Sequence, residues 1–170
     1  MVVGRLDLNF GSTKDILQDA HFGEDSWYSV GLNGSYQGSI ENAAGADDGS
    51  TRALGVDGMV DVPAGGTRVL GIAELNSLRT QQPGAADAID TEAWMVGLGV
   101  LVLNQRLQPM VRFDQVRLDD TLGGGTRNTT YLGANFYRKG HSLKFQGDIR
   151  LESGTHESVD GGRLQAQVDF

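Results

Sequence analysis

The sequence predicts an all-β fold, an antiparallel transmembrane β-barrel, on three observations. Polar and apolar residues alternate one by one through about nine stretches, the period of a strand with one wet and one oily face. The last stretch, Arg163-Leu164-Gln165-Ala166-Gln167-Val168-Asp169-Phe170, alternates without a break and ends on an aromatic. The connections also sort by length: short ones and long ones fall on alternate links.

In the first stretch Val2, Gly4, Leu6, Leu8 and Phe10 oppose Val3, Arg5, Asp7 and Asn9. The second sets Tyr28, Val30, Leu32, Gly34 and Tyr36 against Ser29, Gly31, Asn33, Ser35 and Gln37. In the third, Leu54, Val56, Val60 and Val62 face away from Asp57, Met59 and Asp61. The fourth, Val69 to Ser77, places Glu74 and Asn76 on the face of Leu70 and Ile72. The fifth, Trp94 to Leu103, is apolar on both faces, with Gly97 and Gly99 on one of them. The sixth opposes Leu107, Val111 and Phe113 to Gln108, Arg112 and Asp114. The seventh opposes Leu132, Ala134 and Phe136 to Tyr131, Gly133, Asn135 and Tyr137. The eighth is regular, with Leu143, Phe145, Gly147, Ile149 and Leu151 against Lys144, Gln146, Asp148, Arg150 and Glu152. Helical periodicity is confined to Thr13-Lys14-Asp15-Ile16-Leu17-Gln18, after a cap at Ser12.

The links Ala64-Gly65-Gly66, Asn104-Gln105 and Lys139-Gly140 are tight and fall on one rim. Those around Glu41 to Ser50, Leu78 to Asp90, Asp119 to Asn128 and Gly154 to Gly161 are longer, polar and fall on the other. Short turns on one rim and long loops on the other describe an outer-membrane barrel. A soluble sandwich has no reason to sort its loops this way. Gly11 to Ser26, a long link on the short side, is an exception.

Composition sets limits on class. The 170 residues make one domain, 1–170. No window approaches eighteen consecutive apolar residues, the signature of a membrane-spanning helix. The mean hydropathy of -0.27 is polar, but a barrel dilutes its lipid face with a polar interior. Twenty-five glycines and three prolines suit many tight turns, and the absence of cysteine removes disulfides and thiolate metal sites. A net charge of -8 offers no basic stripe for nucleic acid. Met1 to Arg5 has neither a basic start nor a long apolar run, so a mature piece or fragment of an exported protein is expected.

Tyr28 and Tyr36 share the oily face eight residues apart. At about 3.3 Å per residue and a tilt near 40° that is roughly 20 Å of height, close to the apolar band of a barrel. Trp94, Phe113, Phe136 and Phe170 are the other candidates for the aromatic girdle.

The stretch Tyr131-Leu132-Gly133-Ala134-Asn135-Phe136-Tyr137-Arg138-Lys139-Gly140-His141-Ser142-Leu143-Lys144-Phe145-Gln146, with the ending Arg163 to Phe170, resembles the C-terminal strands of the phosphate-selective porin family. Leu107-Gln108-Pro109-Met110-Val111-Arg112-Phe113-Asp114 is similar to a strand preceding them. Before Leu107 the likeness is architectural. The resemblance implies a homotrimer of sixteen-stranded, water-filled pores passing small hydrophilic solutes, including anions such as phosphate, across the bacterial outer membrane. It implies lipid and lipopolysaccharide as surroundings and no cofactor. Members are more than twice this length, so the chain looks like a C-terminal half. Its about eight to ten strands would then be part of the barrel, with the family's arginine-rich inward loops upstream. No phosphate-site residue carries over.

The polar faces hold Arg5, Arg112, Lys144, Arg150 and Arg163 beside Asp7, Asp57, Asp61, Glu74, Asp114, Asp148, Glu152 and Asp169. A pore sorts ions with such a wall, and cross-strand salt bridges use the same residues. The five basic residues are the candidates for anion contact, with Arg112, Lys144 and Arg150 foremost. Enzyme signatures are missing. His21, His141 and His156 are scattered, with no ligand at metal spacing. Asp47-Asp48 and Asp119-Asp120 read as solvated loop charge, and Gly123-Gly124-Gly125 as a hairpin tip. Two further readings stay open: a narrow closed barrel with a structural or adhesive role through its loops, and a soluble binding barrel with its oily face inward. Glycines at 31, 97, 99 and 133 are expected to leave room inside, which favours a pore.

Overall fold

The computed structural model describes residues 1–11, 25–40, 49–85, 87–138, 143–155 and 160–168. Nine antiparallel strands form a single sheet in sequence order, a pure meander. They are β1 (Val2–Gly11), β2 (Trp27–Ile40), β3 (Gly49–Ala64), β4 (Thr67–Gln81), β5 (Ala88–Leu101), β6 (Leu107–Arg117), β7 (Thr126–Tyr137), β8 (Leu143–Gly154) and β9 (Gly161–Val168). The only other regular element among the described residues is a 3-10 turn, Asp120–Leu122.

The strands reach further than alternation indicated. β4 runs to Gln81 and β5 starts at Ala88, so the link expected from Leu78 to Asp90 contracts to 82–87. There Gln82-Pro83-Gly84-Ala85 closes a turn, with Ala85 N–H donating to the Gln82 carbonyl at 3.0 Å and Gly84 at φ 74°. Cross-strand hydrogen bonds on both sides hold Arg79, Thr80 and Gln81 in the ladder although their alternation is weak. The contrast between the two rims is therefore smaller than the sequence suggested, though its direction stands.

The tight turns follow backbone chemistry. Gly65 and Gly66, at φ 57° and 86°, form the two-residue turn whose doubly left-handed geometry suits strand twist. It pairs Ala64 with Thr67 and sets the whole β3–β4 register. The turn expected at Asn104-Gln105 is wider. Leu103, Asn104 and Gln105 are all left-handed, and Val102 and Leu107 close it through paired backbone bonds of 2.7 and 3.2 Å. The Lys139-Gly140 turn, the helical stretch 13–18 and the three histidines lie outside the described residues.

The register joins every alternating face into two continuous surfaces. One carries Arg5, Asp7, Asp57, Asp61, Glu74, Arg112, Asp114, Lys144, Asp148, Arg150, Glu152 and Arg163; the other is apolar. Burial is inverted relative to a water-soluble sheet. Trp27, Asp61, Arg68, Leu70, Leu101, Gln108, Thr129, Asn135, Tyr137 and Lys144 are buried, and all of them stand on the polar surface. Leu6, Leu32, Leu54, Leu75, Leu98, Phe145 and Leu164, on the apolar surface, are exposed.

The apolar band is also staggered. Its run in β1 opens at Val2, in the cross-strand row of Tyr36. In β8 it opens at Leu151, whose row leads through Thr130, Phe113, Val96, Ala73, Gly58 and Val30 back to Leu8. The band descends across the sheet from β1 to β8.

Candidate polar-face site

Arg112, Tyr131 and Arg150 are consecutive members of one cross-strand row, bounded by Gly97 and Gly161. The adjacent row on the same face reads Gly99, Met110, Gly133, Asp148 and Arg163. Beside the open position at Gly161, where an added Cβ would meet nothing within 4 Å, lies a recess of about 420 Å³, lined by Arg112, Tyr131, Asp148, Arg150 and Arg163 among others. Three of the five predicted basic residues thus converge on one cavity.

Their geometry is held by neighbouring acids. Arg112 donates to Asp114 Oδ2 at 2.7 Å, and its guanidinium lies 4.3 Å from the Tyr131 ring centroid, a cation–π contact. Arg163 donates through Nε and a terminal nitrogen to Asp148 Oδ2, at 2.9 and 2.7 Å. Arg150 lies 3.5 Å from Glu152. The three arginine side chains remain 36 %, 39 % and 60 % exposed (Arg112, Arg150, Arg163), so water reaches all three guanidiniums. Buried Arg112 Nε and Asp114 Oδ1 have no hydrogen-bond partner among the described residues. Such a wall presents alternating charge at half-exposed sites, suited to brief contacts with polar or anionic solutes.

The other two predicted basic residues lie elsewhere. Arg5, on β1, reaches over Gly31 to Asp57 at 3.0 Å while also holding Asp7. Gly31 permits that crossing, because a Cβ there would come 2.5 Å from the guanidinium and 2.7 Å from the Asp57 carboxylate. Lys144 is buried at the tight-turn end, between Tyr137 and Gln167 in its row, and does not line the recess. Asp169 and Phe170 lie outside the described residues.

All four glycines expected to leave room are covered, Gly133 by the Gly147 carbonyl and the Asp148 Cβ. The space above Gly97 is taken by Ile72, that above Gly99 by Gln108, and that above Gly31 by Arg5 and Asp57. The alternation could not show this, because a long neighbour folds sideways into the gap.

Toward the tight-turn rim the polar face is packed. Arg68 Nε donates to Asp61 Oδ1 at 2.8 Å with both side chains 3 % exposed, and Arg68 also reaches the Asp25 carbonyl. Tyr137 Oη donates to Gln108 Oε1 at 2.7 Å, and Asn135 Nδ2 donates to the same oxygen at 3.0 Å. Sequence reasoning missed this layer, together with Tyr131 as the ring between two arginines.

On the apolar face, Tyr36, Trp94 and Phe113 each open the apolar run of their strand on the long-loop side. Tyr28 and Phe136 close theirs on the tight-turn side. Trp94 and Phe113 pack with ring centroids 5.2 Å apart. The Trp94 indole N–H donates to Gln115 Oε1 at 3.0 Å, and Gln115 donates to Asn128 Oδ1 at 2.8 Å. The ring thus sits where apolar surface gives way to a polar ladder.

In the long-loop tip, Asp119 caps the 3-10 turn, accepting from Thr121 N and Oγ1 and from the Asp90 backbone N–H. These bonds, the one from Asp90 foremost, hold its carboxyl down to about 2. Gly123, Gly124 and Gly125 all have positive φ and lead into β7, so no helix N-terminus follows them. Among the described residues no group of three His, Cys, Asp or Glu is placed to hold a metal ion. No protein-family model, curated protein or solved structure matches the chain.

Proposed function

We propose that the chain forms the wall of an outer-membrane porin, or a C-terminal part of that wall, through which small hydrophilic solutes diffuse passively. The observation that carries this reading is the inverted burial: packed residues on the polar surface, exposed leucines and phenylalanines on the other. A continuous exposed apolar surface of this extent is stable in lipid and a liability in water. Aromatics at the ends of the apolar runs, and the stagger of the band, support the same placement. The recess ringed by Arg112, Arg150 and Arg163 serves as the solute-contacting stretch and favours anions such as phosphate. Outer-membrane lipid and lipopolysaccharide are the surroundings, and a homotrimer is the assembly the family resemblance implies.

Planar-bilayer conductance of the detergent-refolded chain tests it, in chloride and then in phosphate. Discrete ohmic steps with an anion-favouring reversal potential are expected. Replacing all three arginines by alanine should move that potential toward cations. Failure of a folded chain to insert would sink the membrane reading.

A second reading is a plugged structural barrel whose long loops meet partners. The buried layer of Arg68, Asp61, Gln108, Asn135 and Tyr137 favours it, since protein fills that level of the polar face. Insertion without conductance would select it.

A further inference from the structure

The register of the β3–β4 hairpin places Arg52 directly opposite Arg79 on the apolar surface. Like charges in facing positions repel, and neither position is dictated by alternation, which would put an apolar residue there. Arg79 holds Asp90 at 3.2 Å, both side chains about half exposed. Arg52 makes no ion pair among the described residues; its other neighbour in the row is Tyr36. Tyr36, Arg52 and Arg79 therefore form a short cationic row with a phenol at one end.

One step along the strands from this row toward the tight turns, the surface turns oily. Leu54, Leu32 and Leu75 are exposed there, and with Val56 and Trp94 they line a groove of about 620 Å³. Ser77 and Glu92 edge the groove on the Asp90 side. An anion is thus admitted at the Arg52 end of the row and repelled at the other. Two guanidiniums above an apolar trough match a molecule with an anionic phosphate at one end and a hydrocarbon chain at the other.

We propose that this row and groove bind a single anionic, phosphate-bearing lipid, its phosphate between Arg52 and Arg79 and its acyl chain along Leu54 and Leu75. The proposal rests on the membrane reading above. It also accounts for the facing arginines, whose repulsion the phosphate relieves.

Trp94 lines the groove and reports directly. The full chain is refolded into vesicles of equal parts phosphatidylglycerol and phosphatidylcholine, with brominated acyl chains on one lipid or the other. Fluorescence of a Trp94→Phe variant is subtracted to remove the signal of Trp27. Brominated phosphatidylglycerol should quench Trp94 several-fold more strongly than brominated phosphatidylcholine. The preference should vanish in Arg52→Ala/Arg79→Ala and persist in Arg127→Ala, which removes one charge from the other face. Equal quenching in the unaltered chain, or a preference that survives the double substitution, overturns the lipid site and leaves the membrane reading intact. Millimolar inorganic phosphate should not abolish the preference; if it does, the row binds the free ion and the lipid assignment fails. Quenching by neither lipid overturns the site and the membrane reading together.

Discussion

Arg68–Asp61 and Arg5–Asp57 share the polar face and have nearly the same contact distance, 2.8 and 3.0 Å. Their surroundings differ. The first pair is 3 % exposed on both sides, packed beside the tight-turn rim. The second is 48 % and 25 % exposed and stretched across a glycine. Water screens the second and is excluded from the first, so breaking the first strips a buried charge of its ion-pair partner. One sheet face thus carries both a packed floor and a hydrated wall, built from the same residue types.

Denaturant refolding in detergent separates these two regions most sharply. Asp61→Asn or Arg68→Ala should cost about 3–5 kcal/mol, the usual range for removing one partner of a buried ion pair. A loss below about 1 kcal/mol would mean water reaches that level after all. Gln108→Leu should come next, near 1–3 kcal/mol, because it strips the acceptor shared by Tyr137 and Asn135 in the same floor. An unchanged refolding midpoint would show that the network contributes nothing to packing. On the hydrated wall, Arg5→Ala should cost at most about 1 kcal/mol, and less at high salt. A larger, salt-insensitive loss would erase the distinction between floor and wall.

The loop tip gives the mildest test. Asp119 is bonded in its ionised form, so its carboxyl titrates lower in the fold than the ordinary 3.8. The stabilisation is complete above that ordinary value and is lost as pH falls through about 2. The Thr121 and Asp90 amide resonances should therefore titrate near 2, and a midpoint close to 4 would show that the cap is not formed.

Much of this was legible residue by residue. Alternation in Val2–Phe10, Tyr28–Tyr36 and Leu143–Glu152 assigned faces correctly because the strand period is a local property of the backbone. Strand ends were less legible. Arg79 to Gln81 break the pattern yet stay paired, since a partner's hydrogen bonds extend a strand past its amphipathic part. The packed floor was invisible for a related reason. Trp27, Arg68 and Tyr137 sit at strand ends, where a short alternating run does not reveal burial. One signal was available. Counting outward from Gly65-Gly66 sets Arg68 diagonal to Asp61 and Arg52 opposite Arg79, and hairpin register alone would have found both.

The sequence by itself determined the all-strand character, the two faces and the tight turn at Gly65-Gly66, because each depends on side-chain period or on glycine backbone freedom. The tertiary structure decided which arginines share a cavity, which aspartate is sealed from water and where the apolar band descends across the sheet. Those outcomes depend on register accumulated over eight strand pairings, and no single stretch of chain contains it.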